Sequence, residues 1–166
     1  MIFNVSGLLR EPIGATRRYA LELERPVHRG SVELVRVPQG VLLRCEADVL
    51  IEDRCSRCLV PFAYPAQIQF EEIFVQQVEV LSGVRLPEPE DPDSFLIGLD
   101  HTIDITEAVR QYTEMSAAMQ PLCREDCPGI CPECGRDRSD AACGCDTRPM
   151  DSRWAALAAL KTTANG

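Results

Sequence analysis

The chain of 166 residues carries a net charge of −9 and is 45% hydrophobic, so it has enough apolar material for a folded core. This length is typical of one domain or of one domain with an appendage, and no apolar run approaches the ~20 residues that span a bilayer. The first residues lack the basic stretch and the cleavage site of a signal peptide. We therefore predict a cytoplasmic protein without a membrane partner, in which reducing conditions favour metal-bound cysteines over disulfides.

The N-terminal half is predicted to form antiparallel strands. The clearest is residues 41–52, where every odd position is apolar and most even positions are charged, an alternation typical of a strand with one buried face. Cys45 lies on the apolar side, so we assign it to the core. A second strand begins near Phe62, and its alternation shifts at residues 71–73, which indicates a β-bulge. Weaker strands are expected around 2–9, 17–24 and 31–37.

The negative charge is concentrated in residues 71–107, which hold ten acidic residues and one base, Arg85. A Pro- and acid-rich connection, residues 82–94, lies inside this segment. Its sequence PEPEDPD has two open interpretations, a solvated disordered loop or a docking surface for a basic partner. The charge also repels phosphate, which makes the segment a poor surface for nucleic acid. For a docking surface, the candidate partner-binding residues are Glu88, Glu90, Asp91 and Asp93.

A helix is predicted near residues 104–118, in the sequence IDITEAVRQYTEMSAAM that begins at Ile103. Asp104 is expected at its N-cap, and Glu107 would complete a capping-box-like start. An apolar stripe at helical spacing is expected to pack on the sheet; it consists of Ile105, Ala108, Val109, Tyr112 and Met115 or Ser116.

A second, short helix is predicted near the C-terminus. Asp151 would cap it, and Trp154, Leu157 and Leu160 would lie on one side. The expected fold is therefore α+β, with a body that is an antiparallel sheet or a partly open barrel carrying one packed helix. We expect the body to occupy residues 1–120, and a cysteine-rich zinc-binding tail with the short helix to occupy residues 121–166.

Eight cysteines remain once Cys45 is assigned to the core, and eight thiolates fill two tetrahedral metal sites. One set is local to the tail, where the knuckle-like sequence CPECG is followed by CGC; its members are Cys131, Cys134, Cys143 and Cys145. The other set would staple the tail to the sheet, because the sequence CSRC falls in the turn between the two best strands. Its members are Cys55, Cys58, Cys123 and Cys127.

Other uses of these cysteines stay open at the level of sequence. The tail can hold one metal with two spare thiols, and Cys55 with Cys58 can form a redox pair, although no βαβ context surrounds them. Iron–sulfur spacings of the ferredoxin type do not appear. All-thiolate zinc sites are usually closed and structural, so one or two structural zinc ions are expected. Phosphate-binding glycine loops, nucleophile elbows and paired histidines are absent from the sequence, and we expect neither enzyme activity nor a small-molecule substrate.

Several stretches in combination carry a family resemblance. They are CSRCLVPF, IDITEAVRQ, PLCREDCPGICPECGRD, CGC and DSRWAALAAL, spread over roughly residues 40–160. Together they resemble the bacterial and plastid YceD family, known as large ribosomal RNA subunit accumulation proteins. The family commonly has proline where this chain has Ser152, a change that a first helical turn tolerates. The resemblance implies a role in producing or retaining 23S ribosomal RNA, and a gene beside that of a small basic protein of the large subunit; it supplies no enzyme activity.

Three hypotheses for function follow. The first is a non-enzymatic ribosome biogenesis factor that contacts a basic ribosomal protein or the assembling large subunit, with zinc as a scaffold. The second is a direct RNA-binding zinc protein, with candidate contacts at Arg136, Arg138, Arg148 and Arg153. The third is a thiol-based redox-responsive module. The acidic charge favours the first hypothesis over direct RNA binding.

Overall fold

The computed structural model describes residues 1–21, 25–138, 143–145 and 153. The elements are β1 (Ile2–Asn4), α1 (Ser6–Leu9), β2 (Thr16–Ala20), β3 (Val27–Val37), β4 (Gly40–Arg54), β5 (Pro61–Gln76), β6 (Leu96–Ile97), β7 (Thr102–Asp104) and α2 (Thr106–Met115). Five strands form an open sheet in the order β2-β3-β4-β5-β6, and β1 pairs with β7 in a separate two-stranded sheet. The α+β class is confirmed, with one difference, since β6 pairs in parallel with β5.

The long hairpin of β4 and β5 is the main element of the five-stranded sheet. Its two strands pair from Gly40 opposite Val75 to Arg54 opposite Pro61, and the predicted alternation of β4 is confirmed by its pattern of burial. The predicted bulge at residues 71–73 is wrong, because the register continues there without a shift. The side chain of Glu72 faces inward like those of the other even-numbered residues of β5. Its carboxylate is satisfied there because the hydroxyl of Tyr112 donates a hydrogen bond to it, at 2.6 Å.

The core lies between this sheet and α2. Ala108 and Val109 of α2 are fully buried, and the ring of Tyr112 stacks on Phe70 of β5 with centroids 4.2 Å apart. Cys45 has no exposed surface, which confirms its assignment to the core. Burial, with a smaller contribution from a neighbouring carboxylate, raises the pKa of its thiol to about 11, so it stays neutral.

The structure corrects the expected start of the main helix. α2 begins at Thr106, and Asp104 belongs to β7, from which its carboxylate accepts hydrogen bonds from the N–H and the hydroxyl of Thr106. Glu107 does not complete a capping box, because its carboxylate bonds to Arg110 and to Gln111. The predicted apolar stripe also ends earlier than expected, since the side chain of Met115, like Ser116, is exposed.

The weaker predictions fare unevenly. The strand expected at 2–9 ends at Asn4, and the chain then turns into α1, because Leu8 and Leu9 are buried on one side of a helical turn. The strand expected at 31–37 lies within the longer β3.

The C-terminal helix predicted with Asp151, Trp154, Leu157 and Leu160 lies outside the described residues, and the division between body and tail at residue 120 stays a prediction. Among the residues that the structure describes, none belongs to a helix long and apolar enough to cross a membrane.

Candidate metal centres

The first candidate centre gathers sulfurs from two distant parts of the chain. The Sγ atoms of Cys55 and Cys127 are 3.7 Å apart, and those of Cys58 and Cys123 are 3.6 Å apart. All four sulfurs lie within 4.8 Å of one another. A disulfide needs an S–S distance of ~2.05 Å, whereas four sulfurs ~2.3 Å from a shared zinc ion are about 3.8 Å apart. The spacing therefore fits a tetrahedral metal site.

Backbone hydrogen bonds hold the tail against the hairpin turn that carries this centre. The N–H of Ser56 donates to the carbonyl of Pro121 at 2.8 Å, and the N–H of Ile130 donates to the carbonyl of Arg57 at 3.0 Å. The Arg57 side chain also donates to the carbonyl of Cys127, at 3.0 Å. The two segments are thus joined on both sides of the sulfurs, so the arrangement does not depend on the cysteine side chains alone.

Most of the first centre is shielded from water. Cys55, Cys58 and Cys127 are buried, with Phe62 and Leu122 packed against them, whereas Cys123 is exposed. Gly129 makes the close approach of the tail possible, because its φ is +72° and an added Cβ would lie 3.0 Å from the carbonyl of Arg57.

The two CxxC turns of the chain share one backbone conformation, and we name residues 55–60 knuckle 1 and residues 131–136 knuckle 2. In each, the N–H of the first cysteine donates to the carbonyl of the sixth residue, at 3.0 Å and 2.8 Å. The N–H of the fifth residue donates to the carbonyl of the first cysteine, at 2.9 Å in both. The fifth residue is left-handed in both, with φ of 63° at Leu59 and 69° at Gly135.

The knuckles also share their electrostatics. Burial raises the pKa of Cys55, but backbone N–H groups of Cys123 and of the fourth and third residues of knuckle 1 outweigh it and bring the pKa to about 6. Backbone N–H groups of the fourth and third residues of knuckle 2 lower the pKa of Cys131, also to about 6. Burial and neighbouring sulfurs raise the pKa of Cys123 to about 12. A cation would allow all four thiolates of the first centre to coexist.

The second candidate centre lies within the tail. The ligand atoms of Cys131, Cys134, Cys143 and Cys145 also lie within 4.8 Å of one another. Only Cys131 of this set is buried, so this centre is the more open of the two. All nine cysteines of the chain are free thiols. Each group could hold a metal ion, and the role of the eight cysteines as ligands stays a prediction.

The predicted partner-binding acids lie at the surface, in the connection between β5 and β6. Glu88, Glu90, Asp91 and Asp93 are all exposed. Asp91 accepts a hydrogen bond from the N–H of Asp93, at 3.0 Å. Within the part of the chain that the structure describes, none of the four carboxylates takes part in an ion pair. A hollow of about 760 Å³ is lined by the last two of them together with the acids of β5 at positions 71 and 72.

The candidate RNA contacts are only partly visible. Arg136, Arg138 and Arg153 are exposed, and Arg148 lies outside the described residues. Sequence reasoning did not identify the shared conformation of the knuckles, because the glycine that marks it in knuckle 2 is replaced by Leu59 in knuckle 1.

Comparison with known proteins gives one family. The model of the family described as "Large ribosomal RNA subunit accumulation protein YceD" matches residues 43–161, a range that includes both candidate centres. An uncharacterized protein of Mycobacterium tuberculosis is 28% identical over 177 residues, which cover 95% of this chain and 79% of the relative. One of Mycobacterium leprae is 29% identical over 81% of this chain and 66% of the relative. The uncharacterized protein YlbN of Bacillus subtilis is 32% identical over 64% and 58%. No solved structure gives a significant match.

Proposed function

Because this chain belongs to the YceD family of large ribosomal RNA subunit accumulation proteins, we propose that it is a non-enzymatic ribosome biogenesis factor that supports the accumulation of 23S ribosomal RNA. It acts in the cytoplasm by contact with a component of the assembling large subunit, and that component is a basic ribosomal protein. The contact is made through the acidic segment, residues 71–107, and metal serves as a structural scaffold.

The proposed contact rests on the exposure of the acidic residues in the connection between β5 and β6, and we call residues 88–93 the acidic loop. Glu88, Glu90, Asp91 and Asp93 are exposed, and in the described part of the chain no base neutralises them. Elsewhere in the segment 71–107, carboxylates are already engaged, as in the ion pair of Glu71 with Arg44 at 2.9 Å. The unpaired acids attract a basic partner and speed its encounter with this chain, whereas they repel the phosphates of RNA.

We propose zinc as the metal, in both candidate centres. All-thiolate sets with tetrahedral spacing are typical of structural zinc sites. At the first centre, Cys55 and Cys58 of the hairpin and Cys123 and Cys127 of the tail would hold the ion, and it would fix the tail segment 121–166 to the body 1–120. At the second centre the ion would order the tail itself. Neither centre leaves a ligand position for a substrate, in line with a structural role.

Metal analysis tests the scaffold. Protein purified without chelator should carry about two zinc ions per chain. Fewer than about one zinc ion per chain, with the thiols still reduced, would rule out the scaffold. Replacement of Cys134 by serine should remove the second ion and leave the first.

A pair of binding measurements tests the contact, at about 0.15 M salt so that long-range charge effects are screened as in the cell. One uses fragments of 23S RNA and the other uses purified basic proteins of the large subunit. The test variant carries Glu88→Gln, Glu90→Gln, Asp91→Asn and Asp93→Asn, and it should bind the basic protein more weakly. The control variant removes the same charge elsewhere, by Glu46→Gln, Asp48→Asn, Glu52→Gln and Glu114→Gln.

The same variants test the function in cells. Loss of the chain should lower the amount of 23S RNA, the control variant should restore it, and the test variant should not. Tight binding of the wild type to RNA with a steep salt dependence, together with unchanged protein binding by the test variant, would instead establish the direct RNA-binding function.

A further inference from the structure

One edge of the five-stranded sheet is open along much of β5. On that side β6 pairs only with Val75 and Gln76, and within the described chain no other strand lies beside β5 there. The N–H of Val75 points to this side, because it donates to the carbonyl of Phe95. Backbone groups alternate in direction along a strand, so those of the preceding odd-numbered residues point there too. These residues are Gln67, Gln69, Glu71 and Ile73, and we call residues 67–73 the open edge.

The open edge has defined ends and no partner. Among the residues that the structure describes, none accepts a hydrogen bond from its four outward N–H groups. It is bounded on one side by the bond from Val75 to Phe95, and on the other by Pro65, which has no N–H. Proteins usually protect such an edge with lysine, a β-bulge or a covering strand. The open edge contains no lysine, and its register with β4 is regular. It is therefore a template of about 23 Å for an added strand.

A row of charged side chains across the outer face of the sheet indicates what an added strand would carry. The row crosses four strands and alternates in sign; it consists of Arg18, Glu33, Arg44 and Glu71. Arg18 donates to Glu33 at 2.8 Å, and Arg44 donates to Glu71 at 2.9 Å. Opposite charges on neighbouring strands stabilise a sheet. Because the row ends on Glu71 at the open edge, its next position favours a base.

The neighbouring row is apolar. Val35, Leu42 and Ile73 lie directly opposite one another on β3, β4 and β5. The first two are half-buried, whereas Ile73 at the open edge is 43% exposed. An apolar side chain on an added strand would cover Ile73 and extend this row. Since Ile73 and Glu71 are two positions apart, the added strand needs an apolar residue and a base two positions apart.

The charge around the open edge favours a basic strand as well. Of the described residues that line the hollow at its end, four are acidic and none is basic. The acids are Glu71, Glu72, Asp91 and Asp93. Arg44 forms ion pairs with Glu71 and with Glu33, at 2.9 and 3.5 Å, whereas Arg85 and Arg110 line other hollows together with further acids. These five carboxylates and one guanidinium leave a net charge of −4. This charge repels RNA, and it repels a second copy of this acidic chain.

We propose that the open edge binds an extended segment of a basic partner protein as an added strand of the sheet. The backbone of the segment pairs with the free N–H and C=O groups of β5. An apolar side chain of the segment covers Ile73, a lysine or arginine two positions away faces Glu71, and a base on the other side reaches Asp91 and Asp93. The inference deepens the proposed contact with a basic protein, and it rests on the proposed function only for large-subunit proteins as the natural source of the segment.

The test uses the isotope-labelled full chain and a synthetic peptide, Thr-Lys-Thr-Val-Thr-Lys-Thr, which places a base two positions from the apolar residue in either direction of pairing. Backbone amide NMR measures the affinity and the hydrogen exchange of each N–H. In the free chain, the odd-numbered amides of the open edge should exchange faster than their even-numbered neighbours, which pair with β4. Saturation with the peptide should slow the odd-numbered amides.

Control peptides separate strand pairing from charge. Exchange of both lysines for glutamate should lower the affinity about tenfold or more. Two further peptides carry methyl groups on alternate backbone nitrogens, one on the threonines and the other on the lysines and valine. An added strand turns every second N–H towards β5, so one of these peptides should lose binding and the other should keep it.

Variants of the chain test the same edge. Gln69→Pro removes an outward N–H and should lower the affinity about fivefold or more. Its matched control is Thr16→Pro on the opposite edge strand, where even-numbered residues also point away from the sheet, because Leu21 donates to Gly30 of β3. Glu71→Gln leaves the backbone intact; it should weaken the lysine peptide about threefold and leave a peptide with glutamine in place of lysine unchanged.

Three results would each overturn the inference. The first is a lysine peptide that binds no more tightly than the glutamate peptide, including the case in which neither binds. The second is an equal effect of the two methylated peptides, or of Gln69→Pro and Thr16→Pro. The third is slow exchange of the odd-numbered amides in the free chain that is lost on dilution, which would mean that a second copy covers the edge. A failure of the proposed function appears elsewhere, as an unchanged 23S RNA level when the chain is lost.

Discussion

On the proposed zinc scaffold, removal of the metal from the first centre should lower the stability of the whole sheet. The centre joins positions far apart in the chain, since Cys58 and Cys123 are 65 residues apart. A cross-link that closes a loop of that length restricts the unfolded chain, and on the chain-entropy estimate it stabilises the fold by about 4 kcal/mol. The apolar core of the sheet does not include these cysteines. The protein should therefore remain folded after metal removal, but with a lower free energy of unfolding.

Urea unfolding followed by far-UV circular dichroism measures this effect. For a chain of this size, with a slope of about 2 kcal/mol per molar urea, chelation should lower the wild-type midpoint by about 2 M. The variant Cys127→Ser should have the lowered urea midpoint already without chelator, and the addition of chelator should change its midpoint little. The variant Cys134→Ser is the matched control, because the second centre closes only a local loop of the tail and the sheet should keep its full response.

Two results would refute this account of the first centre. One is a wild-type midpoint that chelation leaves unchanged, which would mean that the backbone hydrogen bonds to Ser56 and Arg57 suffice to hold the tail. The other is a reversed pattern, in which Cys134→Ser abolishes the response and Cys127→Ser keeps it.

Three further predictions concern the body of the protein. Tyr112→Phe should lower the free energy of unfolding by about 1 kcal/mol, because it leaves the partly buried Glu72 carboxylate without its donor while the ring still stacks on Phe70; an equal loss in the background Glu72→Ala, which has no acceptor, would contradict this. The Thr106 hydroxyl holds the pKa of Asp104 below its usual value, so this carboxylate stabilises the fold above the unfolded-state pKa and ceases to do so as pH falls through the folded-state pKa. Asp104→Ala, which removes the hydrogen-bond acceptor as well as the charge, should therefore lower the free energy of unfolding by about 1 kcal/mol at neutral pH and by less in acid, as urea titrations at several pH values will show. Gly40→Ala should lower the free energy of unfolding by about 2 kcal/mol or more, because the new Cβ would lie 2.1 Å from the carbonyl of Phe74 on the paired strand; Gly144→Ala, which meets open space, is its control.

The sequence predicted β4 well because its alternation is a local signal that the neighbouring strands reinforce. The bulge predicted in β5 was wrong for a physical reason, because an acidic residue at an inward position interrupts the alternation of apolar and polar residues. The donor that satisfies Glu72 is Tyr112, 40 residues further on and on another element. No local pattern reveals such a partner, and the sequence therefore suggested a bulge where the register is regular.

The helix start was misplaced for a similar reason. The N-cap position of α2 is Ile105, and Asp104 is the last residue of β7, from which its carboxylate accepts a hydrogen bond from the N–H of Thr106. The shared conformation of the knuckles was hidden because its usual marker is glycine, and Leu59 takes that place in knuckle 1. The sequence placed CSRC in the right turn, because the turn is fixed by the ends of two well-predicted strands.

The 65 residues between Cys58 and Cys123 also set an order of events during synthesis on the ribosome. At the usual ~5–20 residues per second, the tail cysteines leave the ribosome about 3–13 s after those of the hairpin. For that interval the hairpin can already pair, while knuckle 1 presents two thiols without their partners. Completion of the first centre therefore marks a nascent chain whose body has been fully translated, and a truncated chain that ends before the tail would keep an open knuckle.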